Sequence, residues 1–164
     1  MTVTPAADAR PPSSDGFGFM RRTVRRMPFP GCTLELPGYF YEQDDETDRA
    51  KVYWFGDRVV RVDSWLVTSS EPGGPTPREL VERSTASELG RPAPTAAFAI
   101  EAPPVTGYCV LLEPDDGETS RNAHAVIERP GRMLLLTITF PDAADAGWVE
   151  SLVRSVNLQP SEGQ

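Results

Sequence analysis

This chain is short of the side chains that carry most protein chemistry. Its 164 residues include one histidine, His124, and two cysteines, Cys32 and Cys109, and its only lysine is Lys51. A single imidazole cannot build a histidine cluster, and no Cys/His spacing fits zinc. Two thiols allow at most one disulfide. A chain of this length fills a core without staples, so reduced thiols are expected. No apolar run reaches about 18 residues, and no membrane span is expected. There is no Gly-flanked serine elbow, and no glycine pattern behind a strand fits a phosphate cradle. The expectation is therefore no catalytic residue, no metal and no cofactor.

What is present is unevenly charged. The formal net charge is −8, yet residues 1–30 hold five arginines against Asp8 and Asp15, a local +3 that leaves −11 for the rest. An acidic body argues against nucleic acid as partner, because phosphate binding needs an excess of Lys and Arg on one face. Fifteen arginines beside one lysine, with 17 prolines and 13 glycines, suit a GC-rich bacterial genome. Residues 1–15 lack periodicity and cannot bury enough apolar surface to offset ordering their backbone. Phe17, Phe19, Arg21, Arg22, Arg25 and Arg26 follow, so residues 1–30 read as a disordered basic and aromatic arm. The arm is a candidate partner contact, or it lies on its own acidic domain. Independence of the arm implies that deleting residues 1–27 leaves stability nearly unchanged. The arginine pairs run into Met27-Pro-Phe-Pro-Gly31 where a signal peptide needs an apolar stretch, so a cytoplasmic location is expected.

From Gly31 the pattern turns to alternating short strands. Cys32 to Leu36 places Leu34 and Leu36 on one face, and Tyr39 to Glu42 continues as extended chain after Pro37-Gly38. Lys51–Phe55 and Arg58–Val67 flank Gly56-Asp57, a two-residue hairpin signal. In the second of these strands Val60, Val62 and Leu66 point one way and Val59, Trp65 and Val67 the other. Thr76-Pro-Arg-Glu79 is a capping box with proline at the first helical position. It predicts a helix to about Leu89 that buries Leu80, Val81 and Leu89. Three strands follow over 97–101, 107–113 and 122–128. Met133–Phe140, apolar at consecutive positions, should lie centrally in the sheet. Asp142 caps a last helix to Val156 with its stripe at Trp148, Val149, Leu152, Val153 and Val156. The sum is one α+β domain over residues 31–158, two helices packed on an antiparallel sheet, and a disordered tail over 159–164.

Three constellations invite a chemical reading. His124, between two alanines in a strand, could act as a base only with Cys109 as its nucleophile, and a hydrogen-bonded structural imidazole is the better reading. Asp44, Glu46 and Asp48 match the first spacings of a calcium loop, but Arg49 stands where its glycine belongs and Phe55 where its last carboxylate belongs. The aromatics Tyr39, Phe40, Tyr41, Tyr53, Trp54, Phe55 and Trp65 are expected mainly in sheet and core, with Tyr39 and Tyr41 facing the surface.

Two short texts carry a resemblance. Leu34-Glu-Leu-Pro-Gly-Tyr39, and Leu136-Thr-Ile-Thr-Phe140 leading to Trp148-Val-Glu-Ser-Leu-Val-Arg-Ser-Val-Asn-Leu158, resemble the opening strand and the closing strand and helix of the Mog1/PsbP-like superfamily. That group includes bacterial DUF1795, DcrB and LpqN-type proteins. The resemblance implies a non-enzymatic binding protein: members bind a small GTPase, a photosystem or, as chaperone-adaptors, secreted effectors. It assigns no functional residue here. The expected function is a bacterial protein-binding adaptor or chaperone-like module with another protein as partner, contacted through Phe17, Phe19, Arg21, Arg22, Arg25, Arg26, Tyr39 and Tyr41. The alternative is a small-ligand carrier or weak enzyme with a pocket near His124.

Overall fold

The computed structural model describes residues 22–45, 49–66, 73–86, 94–114 and 116–160. Among these, the strands are β1 (Thr23–Phe29), β2 (Cys32–Pro37), β3 (Tyr41–Asp45), β4 (Ala50–Phe55), β5 (Arg58–Leu66), β6 (Pro94–Ala102), β7 (Val105–Leu112), β8 (Arg121–Arg129), β9 (Arg132–Phe140) and β10 (Asn157–Leu158). The helices are α1 (Pro77–Ala86) and α2 (Ala146–Arg154). A seven-stranded sheet runs β3-β4-β5-β9-β8-β7-β6, and a three-stranded sheet runs β1-β2-β10. Every pairing is antiparallel. The fold is α+β, as expected, and β9 occupies the middle of the large sheet for the reason its apolar run gives.

The expected arm requires a correction. Thr23–Phe29 is β1, paired with β2 from Thr23 opposite Pro37 to Phe29 opposite Cys32. Proline and paired arginines argue against a strand, yet the register shifts between Arg26 and Phe29, and Pro28 sits in that irregularity without having to donate to the ladder. Arg26 spans to the neighbouring loop, donating from Nη2 to the carbonyls of Phe40 at 3.1 Å and Gly38 at 3.4 Å. Residues 1–21, which hold Phe17, Phe19 and Arg21, lie outside the described residues.

The main core lies between the two sheets and under α2. Cys32, Leu34 and Leu36 from β2, and Val149, Leu152 and Val153 from α2, are buried against Tyr53, Val60, Val62, Leu134, Leu136 and Ile138. Burial of each such aliphatic side chain contributes about 1.5–3 kcal/mol. The last helix begins differently from its expected form. Asp142 accepts from the Ala144 N–H at 2.9 Å and caps a 3₁₀ turn over Ala143–Asp145, after which the α-helix runs from Ala146. Asp145 binds Arg58 of β5 at 2.9 Å and ties the start of α2 to the sheet. The small sheet is closed on the large one by Arg129, which donates to the Leu158 carbonyl at 2.9 Å, and by Arg132, which donates to the Pro30 carbonyl. Gly31 turns β1 into β2 with φ +74 beneath the Arg132 guanidinium, a conformation and a closeness that favour glycine.

α1 packs on the opposite face of the large sheet, over β7 and β8. Its capping box forms as expected: the Glu79 carboxylate accepts from the Thr76 backbone N–H at 2.8 Å, and the Thr76 hydroxyl accepts from the Glu79 N–H at 3.3 Å. Val81 is buried with Val110, Leu112 and Val126, and Leu80 is half-buried beside them. The helix ends at Ala86 among the described residues, and Leu89 lies outside them.

Candidate functional site

The two faces of the large sheet are covered unequally. Strand alternation and register place Tyr41 of β3, Trp54 of β4, and Val59, Arg61, Asp63 and Trp65 of β5 on the α1 side of the sheet. Among the described residues α1 covers β7 and β8, and no helix lies over β3, β4 and β5 on this side. Large apolar side chains are therefore left in water: Tyr41 is 53% exposed, Trp54 40% and Trp65 45%. Tyr41 and Trp54 pack ring on ring with centroids 4.8 Å apart. Exposed aromatics gathered on one side of a sheet mark a contact surface more than scattered ones do.

Polar groups lie on both sides of these strands, Arg61, Asp45 and Asp63 on the open side and Lys51, Glu42 and Asp44 on the other. Arg61 holds Asp45 at 2.7 Å and Asp63 at 3.3 Å, and Lys51 holds Glu42 at 3.3 Å and also Asp44. Each cation is shared by two carboxylates. These bonds raise the pKa of Arg61, through its hydrogen bond to Asp45, and that of Lys51, through its bond to Asp44. An open depression of about 490 Å³ runs beside them, lined by Gln43, Asp44, Asp45 and Val52.

The aromatics named from the sequence divide between the two faces. Tyr39, Phe40 and Phe55 form a cluster with Trp148 of α2, Tyr39 to Phe55 at 4.5 Å and Phe40 to Trp148 at 5.9 Å between centroids. Tyr39 is accordingly half-buried rather than surface-facing, while Tyr41 is exposed. Tyr53 is fully buried, and burial pushes the pKa of its hydroxyl up. Trp54 and Trp65 point outward, Trp54 packed on Tyr41 and Trp65 near the other end of β5, opposite Met133. Their signal was available in register: once Gly56-Asp57 fixes the hairpin, Trp54 falls opposite Val59, on the face that Val60 and Val62 do not occupy.

The arginines divide too. Arg25 is exposed and meets Glu35 at 3.5 Å, and Arg26 is committed to the loop carbonyls, so neither is grouped with Tyr41. Arg22 precedes β1, its carbonyl accepting from the Gly38 N–H at 2.9 Å. The structure thus brings together Tyr41 with Trp54, and leaves Arg22, Arg25 and Arg26 on the small sheet.

His124 is half-buried on β8, opposite Val110 of β7 and Thr137 of β9. The depression of about 490 Å³ lies at β3 and β4, three strands away along the sheet order, and not at His124. Cys32 and Cys109 are free and buried, and burial pushes each thiol up to about 12. Protonated, enclosed thiols are poor nucleophiles and poor ligands. Among the described residues no group of three or more His, Cys, Asp or Glu side chains could hold a metal ion. No helix among them is long and apolar enough to cross a membrane.

No protein-family model and no curated protein sequence matches this chain. Solved structures do. The solution structure of cyanobacterial PsbP (CyanoP) from Synechocystis matches with a TM-score of 0.66 at 14% identity, over 92% of this chain and 100% of that one. A crystal structure of a Bacteroides thetaiotaomicron protein matches with a TM-score of 0.59 at 10% identity, over 84% of this chain and 48% of that one, so this chain spans about half of that protein. At such identities the likeness is one of fold, and the fold is Mog1/PsbP-like.

Proposed function

We propose that this chain is a non-enzymatic bacterial module of the adaptor or chaperone-like kind, acting in the cytoplasm and binding another protein through the uncovered half of its large sheet. The observation that carries the reading is the stacked pair Tyr41 and Trp54, with Trp65 farther along β5, each about half exposed on the side of the sheet that α1 leaves open among the described residues. Large aromatics are the residues that anchor protein interfaces, and exposing them costs solubility unless a partner covers them.

The test is a pair of surface variants. Trp54→Ala with Trp65→Ala removes exposed side chains, so the melting temperature should stay within a few degrees of the parent. Capture of partner protein from the native host should fall at least tenfold, the scale set by losing anchor aromatics. Unchanged capture by the double variant would show that this face is not the contact surface.

A further inference from the structure

Resting on the protein-binding reading, we propose that the free edge of β3 accepts an extended cationic segment of the partner as an added strand. In that strand an aromatic side chain lies against Tyr41, and arginines or lysines lie against Glu42 and Asp44.

β3 is the first strand of the seven and pairs, among the described residues, with β4 alone. An edge strand presents unpaired N–H and C=O groups that an extended peptide can take up, while its alternating side chains set specificity. On β3 the alternation separates two chemistries. Tyr41, stacked on Trp54, faces the open half of the sheet, and Glu42 and Asp44 project from the other side of the same strand. Both carboxylates share one ammonium group, Lys51, which leaves that side one negative charge in excess. Asp44 is the most exposed of the acids on this strand that form ion pairs, with 68% of its side chain in water. An added strand running antiparallel to β3 would therefore read cation, any residue, cation, aromatic, with both cations on one face and the ring on the other. The depression along Gln43, Asp44, Asp45 and Val52 leaves room beside the edge for these side chains.

Charge and area decide against a second copy of the chain as the occupant. Pairing β3 with itself would set Glu42, Asp44 and Asp45 against the same acids, and like charges opposed across a ladder repel. The stacked rings of Tyr41 and Trp54 offer on the order of 100 Å² each, against roughly 800 Å² per partner in a stable complex of globular surfaces. A short strand that gains its remaining affinity from backbone hydrogen bonds fits that area.

The full chain and a fluorescein-labelled synthetic peptide of sequence STRTRWTS test this by fluorescence anisotropy. Binding should saturate and weaken as salt is raised. It should fall at least tenfold for the peptide STETEWTS, for STRTRATS, for the Glu42→Gln/Asp44→Asn variant and for the Tyr41→Ala/Trp54→Ala variant. Methylating the backbone nitrogens of alternate peptide residues should abolish binding in one of the two possible sets and spare it in the other, because only one edge of an added strand meets β3. Absence of binding at millimolar peptide, equal binding of the acidic peptide, or equal loss from both methylated sets would overturn strand addition. The same two surface variants should also be used for capture from the native host. If the aromatic variant loses its partner while STRTRWTS never binds, the cationic-strand inference falls and the protein-binding reading stands. If the variant keeps its partner, both fall.

Discussion

At the residue scale the two cysteines are the most distinctive groups, because their environment converts a reactive side chain into packing material. Cys32 and Cys109 are both fully enclosed, and burial raises each thiol from an ordinary value of about 9 to about 12; Arg132 partly offsets the rise at Cys32, and Glu150 adds to it at Cys109. A thiol pKa that is higher in the folded chain has a definite consequence for stability. Below about pH 9 the thiols are protonated in both states and the folded chain loses nothing. Between about 9 and 12 the unfolded chain ionises first and is favoured, so stability falls as pH rises through that window. The raised Tyr53 hydroxyl acts in the same direction. The melting temperature should therefore decline above about pH 9, and the decline should be shallower in a Cys32→Ala/Cys109→Ala variant. A flat melting temperature between pH 8 and 11 would contradict the buried, protonated thiols. That the cysteines are unpaired was legible from their number and the length of the chain. Their depth was not, since neither Gly31-Cys-Thr33 nor Tyr108-Cys-Val110 says which face of its strand meets the core.

At the scale of elements, the strands and helices that carry an apolar stripe were legible. The capping box of α1, the Gly56-Asp57 hairpin and the stripe of α2 all form where residue spacing puts them. The two-residue β10 escaped, and the longest element that escaped is β1. Its strand Thr23–Phe29 carries two arginines and a proline, leaves Val24 and Met27 exposed, and is held by its ladder to β2 rather than by a hydrophobic face. Such a strand has no periodic signature, because the property that makes it a strand belongs to its neighbour. The consequence is measurable by comparing two truncations, one beginning at Arg22 and one beginning at Pro28. They differ by most of β1 and by the Arg26 bonds to Phe40 and Gly38, and the shorter should be less stable by at least 2 kcal/mol in urea, the scale of a few lost ladder and side-chain hydrogen bonds. Equal midpoints would mean that β1 contributes nothing to the fold and that the arm is independent up to Met27.

At the scale of the whole molecule, one core joins both sheets. β2 supplies Leu34 and Leu36, α2 supplies Leu152 and Val153, and the large sheet supplies Tyr53, Val60 and Leu136 to the same buried cluster. A three-stranded sheet whose apolar face is shared in this way cannot come off without exposing the large sheet beneath it. Urea unfolding should accordingly be a single transition, with far-UV circular dichroism and tryptophan fluorescence coincident. Trp148 reports from the α2 side and Trp54 and Trp65 from the open side, so an independent melting of one layer would separate the two signals. The open half-face is likewise a property of the whole. Tyr41, Trp54 and Trp65 come from three strands, and their exposure depends on α1 lying over β7 and β8 instead of over β4 and β5.

The sequence by itself determined the class of the fold, most element boundaries, the absence of a recognisable catalytic or metal-binding pattern and the acidic character of the body, because periodicity, caps, turn residues and charge are local properties that each segment carries alone. Only the tertiary structure decided that residues 23–29 belong to the domain, that the helices lie on opposite faces of the large sheet, and that three aromatics from different strands are left half exposed on one side of it. Those outcomes depend on which residues meet across strands far apart in the chain, and a side chain's exposure is fixed by what packs over it.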